Sequence, residues 1–168
     1  MSLMEDFKYK VSIIIPMYDA EKYIENCLKS ILKSNLSKKD YEIIIINDGS
    51  TDNGPVVAQQ YAKEFDNILY PTQYNQGQSV ARNYGITESR GKYIWCVDAD
   101  DMVDGDFTDI LATLHDFPEI DIIAFEAKEL NNDRQKVICV QANVSHNQII
   151  SGRDAVISGY NPSAVWAL

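Results

Sequence analysis

Apolar residues in this chain come in two alternating spacings, short continuous runs and stripes at every third or fourth position. After a polar lead, Val11 to Ile15 is an apolar run stopped by Pro16, the pattern of a strand buried on both faces. Ile24, Cys27, Leu28, Ile31 and Leu32 then recur at helical spacing and give one apolar stripe. Asn35 through Asp40 is a polar break, and Ile43 to Ile46 is a second buried strand. The next helix opens at a cluster of N-cap residues, Asn47 to Asp52, with Pro55 in its first turn and Val57, Tyr61 and Phe65 on one face. Ile68 to Tyr70 predicts a short third strand. Gly77 and Ser79 open a helix through Val80, Ala81 and Tyr84, ending between Gly85 and Gly91.

A fourth strand at about 92–97, a helix over roughly 105–115 and a fifth strand from Asp121 to Phe125 continue the alternation. Beyond it the pattern changes. Lys136 to Gln141 reads as an edge strand paired near Ala127 across a turn at Asn131-Asn132-Asp133, and Ser151 to Asp154 starts a short helix. The class is therefore α/β, a mostly parallel sheet flanked by helices. Residues 1–8 read as a leader, with Met1-Ser2-Leu3 ahead of a natural start at Met4, and 9–168 as one domain.

In such sheets ligands bind beyond the carboxyl ends of the strands. Three strands place acid there: Asp19 after the first, Asp48 after the second, and Asp98, Asp100 and Asp101 after the fourth. Two carboxylates about 4 Å apart repel by roughly 4 kcal/mol at an effective dielectric near 20. Taken alone, the triple is either a solvated cap of the next helix or a site for a divalent cation with oxygen ligands. Acid at three strand ends favours a site at that rim.

Composition narrows the function. A net charge of −10 and a pI near 4.5 argue against a nucleic-acid binder, and mean that an anionic ligand needs a local cation. Cys27, Cys96 and Cys139 are odd in number, widely spaced and set in apolar patterns, which suggests reduced thiols and a cytoplasmic setting. His115 and His146 lack ligand spacing and read as surface or loop residues. No GxGxxG or GxxxxGK[ST] follows the first strand, so phosphate would be held through a metal rather than on glycine-rich backbone amides.

Four blocks then occur in order: Val11-Ser12-Ile13-Ile14-Ile15-Pro16-Met17-Tyr18, Ile45-Ile46-Asn47-Asp48-Gly49-Ser50-Thr51-Asp52, Asn75 through Asn83, and Val97-Asp98-Ala99-Asp100-Asp101. Over about residues 9–125 the chain resembles the nucleotide-sugar-binding half of family-2 glycosyltransferases, which have the GT-A fold. The resemblance implies nucleotide contacts at Pro16, Tyr18, Asp19, Asp48, Arg82 and Asp98. It implies Mn²⁺ or Mg²⁺ at Asp98-Ala99-Asp100, the DxD motif, with Asp100 the main ligand and Asp98 and Asp101 beside it.

Each residue also has a plainer reading. Tyr18 stacks on a base or fills the core. Asp48 accepts from a base N–H, as its counterpart does for uracil, or caps a helix, and Asp19 caps the first helix or lies near the base. Arg82 offers a planar fork to base or phosphate oxygens or pairs with the acidic rim.

The family is expected to invert the anomeric centre with a carboxylate general base in an acceptor-binding half. That base is expected beyond Leu168, near which Trp166 resembles a tryptophan preceding an acceptor-side segment. The expectation is thus a truncated chain that binds donor but transfers sugar poorly or not at all. Glu126, Glu129 and Asp154 are the internal alternatives, with surface or helix-end roles as the plainer reading. The resemblance implies a UDP-sugar donor and a glycan or lipid-linked acceptor, with peripheral association at the inner membrane face. An apolar flank near Val165 to Leu168 suggests a homodimer. The rivals are a metal-dependent nucleotidyltransferase, which would carry a basic glycine-rich loop after the first strand, and a non-catalytic binding module.

Overall fold

The computed structural model describes residues 7–104, 107–116, 122–129, 136–139 and 163–167. In chain order the described elements are β1 (Tyr9–Met17), α1 (Ile24–Leu32), β2 (Tyr41–Asp48), α2 (Gly54–Glu64), β3 (Ile68–Leu69), β4 (Thr72–Gln73) and α3 (Gln78–Glu88). They continue with β5 (Gly91–Cys96), β6 (Met102–Asp104), α4 (Thr108–Asp116), β7 (Ile122–Glu129), β8 (Lys136–Cys139) and β9 (Ser163–Ala167). The strands lie in the order β3-β2-β1-β5-β9-β7-β8-β6, and β4 also pairs with β2.

The site-bearing part is parallel, with Ile13 of β1 opposite both Ile43 of β2 and Trp95 of β5. Successive side chains leave opposite faces of a strand. Ile13, Ile15, Ile43, Ile45 and Trp95 accordingly pack with Ile24, Leu28 and Ile31 of α1 on one face, while Ile14, Ile44, Ile46 and Ile94 meet Ala81 of α3 on the other. Gly85 lets α3 lie close, because a Cβ there would stand 2.5 Å from Ile14 Cγ2 and 2.7 Å from Ile46 Cδ1.

At the amino edge of the sheet, Glu42 is wholly buried. Its Oε1 accepts from the Ser12 hydroxyl at 2.7 Å and the Arg90 backbone N–H at 2.6 Å, and its Oε2 from Arg90 Nε at 2.9 Å and Nη2 at 2.6 Å. With two Arg90 donors on one of its oxygens and Ser12 on the other, Glu42 joins β1, β2 and the entry to β5.

Several expectations need correction. Pro16 does not stop β1, which runs to Met17. The Ile14 carbonyl accepts from Val97 N–H on the β5 side, so the same side of Pro16, two residues on, faces beyond the end of β5, and its missing N–H costs no ladder bond. The strand expected from Lys136 pairs near Ala127, with Ala127 opposite Ile138, but it is not an edge: β6 lies on its other side. Strands β4, β6 and β9 have no counterpart in the sequence reading. β9 runs antiparallel between β5 and β7, so its backbone presents no open edge around Val165. Residues 1–6 of the leading segment, the turn at 131–133, the helix start at Ser151 to Asp154, His146 and Leu168 lie outside the described residues. His115 is exposed in the last turn of α4, as expected.

Candidate functional site

The carboxyl ends of β1, β2 and β5 open into one cavity of about 350 Å³. Of the residues singled out from sequence, Pro16, Tyr18, Asp19, Asp48, Asp98 and Asp100 line it, and Arg82 and Asp101 do not. Tyr23, Asn75, Gly77 and Gln78 line it as well. The last three fall within the block from Asn75 to Asn83 or just at its head, so their sequence signal was present but unassigned.

Tyr18 follows β1 and is 51% exposed, so it is a wall of the cavity and not a core aromatic. Asp48 is only 3% exposed at the tip of β2. It caps no helix. Its Oδ1 accepts from Gln73 Nε2 at 2.7 Å and the Gln76 N–H at 2.9 Å, and its Oδ2 from the Gly77 N–H at 2.8 Å. A buried carboxylate thereby folds the loop before α3 back over the strand end. Both bends beside it use glycine: Gly49 has φ 75° and Gly77 φ 89°, and a Cβ on Gly49 would lie 2.8 Å from the Asn75 nitrogen.

Asp19 does not cap α1, whose N-cap is Tyr23. Its backbone has φ 47°, and its Oδ1 accepts from the Thr51 N–H at 2.7 Å. Beside it, Asp52 Oδ2 accepts from the Glu21 N–H at 2.7 Å and Glu21 Oε2 from the Asn53 N–H at 2.9 Å. These reciprocal bonds zip the loop after β1 to the loop after β2, giving the cavity a fixed floor.

Asp98 Oδ1 accepts from Arg82 Nη2 at 2.6 Å and from Gln78 Nε2 at 3.0 Å. Arg82 thus takes the rim ion pair. Asp100 is exposed in the cavity wall, and Asp101 donates its N–H to the Asp98 carbonyl at 2.9 Å. Beneath the turn, burial pushes the Cys27 thiol far up, and the charges of Asp101, Asp100 and Asp98 add to it. Burial also raises Cys96, against the pull of Arg82.

Among the described residues no three His, Cys, Asp or Glu side chains gather around one point that could hold a metal. A divalent ion that arrives with a diphosphate needs fewer: such ions are held through one or two carboxylates, phosphate oxygens and water. Asp100 and Asp98, which line the same cavity, fit that donor set. Glu126 and Glu129 stand on β7.

Comparison with known proteins gives the family and the fold. The profile of Glycosyl transferase family 2 matches residues 12–143. The uncharacterized glycosyltransferase EpsJ of Bacillus subtilis (strain 168) is 40% identical over 128 residues, covering 76% of this chain and 37% of its own length. The minor teichoic acid biosynthesis protein GgaB of the same organism is 35% identical over 123 residues, 71% of this chain and 14% of its own. Among solved structures, S. aureus TarS 1-349 in complex with UDP-GlcNAc superposes with a TM-score of 0.73 at 23% identity, covering 94% of this chain and 45% of that one. Mannosyltransferase PcManGT from Pyrobaculum calidifontis, in complex with GDP-Man and Mn²⁺, gives 0.61 at 20%, covering 74% and 37%. The expected fold is borne out by these superpositions. This chain spans about a third or less of the length of several of the curated relatives it matches. Among the described residues no helix is long and apolar enough to cross a membrane.

Proposed function

This chain belongs to Glycosyl transferase family 2, and from that membership we propose that its cavity is the nucleotide-sugar donor site of an inverting, metal-assisted glycosyltransferase. The observation that carries the reading is convergence: the four sequence blocks meet in one cavity at the carboxyl ends of β1, β2 and β5. A UDP-sugar is the donor class, supported by the fold shared with TarS, which is known with UDP and with UDP-GlcNAc.

In this reading Tyr18 presents its ring to the base. Asp48, already accepting three N–H groups, keeps a lone pair on Oδ2 for a base N–H, and holds the Asn75–Gly77 loop beside it. Arg82 steadies Asp98, which turns its second oxygen toward ribose or diphosphate. Asp100 faces the diphosphate. Mn²⁺ or Mg²⁺, when bound, supplies the positive charge that a leaving diphosphate needs. The acceptor hydroxyl attacks the anomeric carbon as its bond to the diphosphate oxygen breaks, and its proton goes to a carboxylate outside the described residues. The glycan or lipid-linked acceptor, and any association with a membrane face or a second copy, belong to the same family analogy.

The test is a calorimetric titration of UDP into the chain, with Mn²⁺ and with chelator, repeated on Asp100→Ala. The expected result is binding that requires the metal and weakens by at least about tenfold in the variant, or ~1.4 kcal/mol. Binding equal in both proteins and indifferent to chelator would overturn the assignment of Asp100 and of the metal.

A further inference from the structure

The turn that carries Asp98 and Asp100 is held at both ends by one helix that supplies nothing to the cavity wall. At its start, the Asp98 carbonyl accepts from the Cys27 thiol at 3.7 Å as well as from the Asp101 N–H. At its end, the Val103 N–H donates to Ser30 Oγ at 2.9 Å. The Ser30 hydroxyl in turn donates to the Cys27 carbonyl at 2.6 Å, which fixes its direction and leaves its lone pairs for Val103. Cys27 and Ser30 are three apart on α1 and so share one face. At and beside the two anchors, Val97, Ala99 and Val103 are buried in the same core cluster as Cys27. Val97 and Ala99 are thus turned into the protein, while Asp98 is half-buried and Asp100 exposed between and beside them.

We propose that Ser30 and Cys27 are positioning residues for the donor site: by gripping the Asp98–Val103 turn at both ends they set where the two carboxylates stand, and with that the affinity for a metal-bound nucleoside diphosphate. The proposal rests on the donor-site reading. Groups that orient the carboxylates of a metal site typically govern affinity by 10–100-fold when removed, roughly as much as a weak ligand does. Ser30 separates positioning from general stability. Alanine is a better helix former than serine, so Ser30→Ala offsets part of the lost hydrogen bond within the helix while leaving the Val103 N–H without its anchor.

The experiment titrates UDP at saturating Mn²⁺ into the whole chain and into Ser30→Ala, Ser30→Thr and Cys27→Ser. Amide exchange at Val103 and the thermal midpoint are recorded in parallel. The expected result for Ser30→Ala is an affinity about tenfold weaker, faster exchange at Val103, and a midpoint close to the parent. Ser30→Thr and Cys27→Ser keep a donor or acceptor at each anchor and should bind as the parent does. They also decide the matter should Ser30→Ala fold poorly, because two well-folded hydroxyl variants with weakened binding would contradict the clamp. Parent-like affinity in Ser30→Ala, whatever Val103 does, overturns the clamp and leaves the donor reading standing. A parent chain that takes no UDP with Mn²⁺ overturns the donor reading and the positioning role together.

Discussion

Glu42 has no exposed surface, and its charge is balanced by an arginine that is itself 40% exposed. Removing one partner of a buried pair leaves the other charge without compensation, typically at 3–5 kcal/mol. Arg90→Ala should therefore lower stability by about 3 kcal/mol, the low end because water reaches Arg90. Replacing both residues with apolar ones of similar size should recover much of that loss. Urea midpoints for the single and double variants check this. A second residue-scale effect concerns pH. The unfolded Cys27 thiol ionises near its ordinary value of 9.0, whereas the folded one is held well above it by burial and the nearby acids. Below pH 9 both states keep the proton; above it only the folded state does, so stability falls as pH rises, by up to about 1.4 kcal/mol per unit. Comparing urea midpoints at pH 8 and 10 should show a smaller drop for Cys27→Ala than for the parent. Equal drops would refute the assignment to this thiol.

Elements with strong periodicity were legible, and those defined by distant pairing were not. β1 and β2 are written in isoleucine-rich runs, β5 in the apolar run Tyr93-Ile94-Trp95-Cys96, and α1 in a stripe whose Ile24, Cys27, Leu28 and Ile31 are buried. β4 and β6 have two and three residues, too few for any spacing to show. β9 exists because residues far away offer it two open edges, which no local pattern encodes. The site divides the same way. Tyr18, Asp48, Asp98 and Asp100 were readable because each follows a strand end. That Asp19 is bonded to Thr51, and Asp98 to Arg82, depends on segments 32 and 16 residues apart meeting in space. Helix α3 supplies an element-scale prediction. Gly85→Ala gains helix propensity of about 1 kcal/mol, yet its methyl would enter space held by Ile14 and Ile46. Overpacking of about 1–3 kcal/mol should win, so the variant should melt lower and not higher in a thermal scan.

At the scale of the molecule, a chain of net charge −10 gathers several of its acids at one rim and then engages them. Asp19, Asp48, Asp52 and Asp98 each accept hydrogen bonds from neighbouring loops or side chains, and so act as fasteners of that rim. The sheet has its own ordering in sequence. β5 and β7 do not pair with each other; the space between them is filled by residues 163–167. During synthesis, at about 5–20 residues per second, β5 leaves the ribosome well before β9 exists. For several seconds its outer rim is an unpaired template of the kind that recruits strands from other chains. The strand that bears the acidic turn therefore depends on shielding from other chains until residues 163–167 have been made.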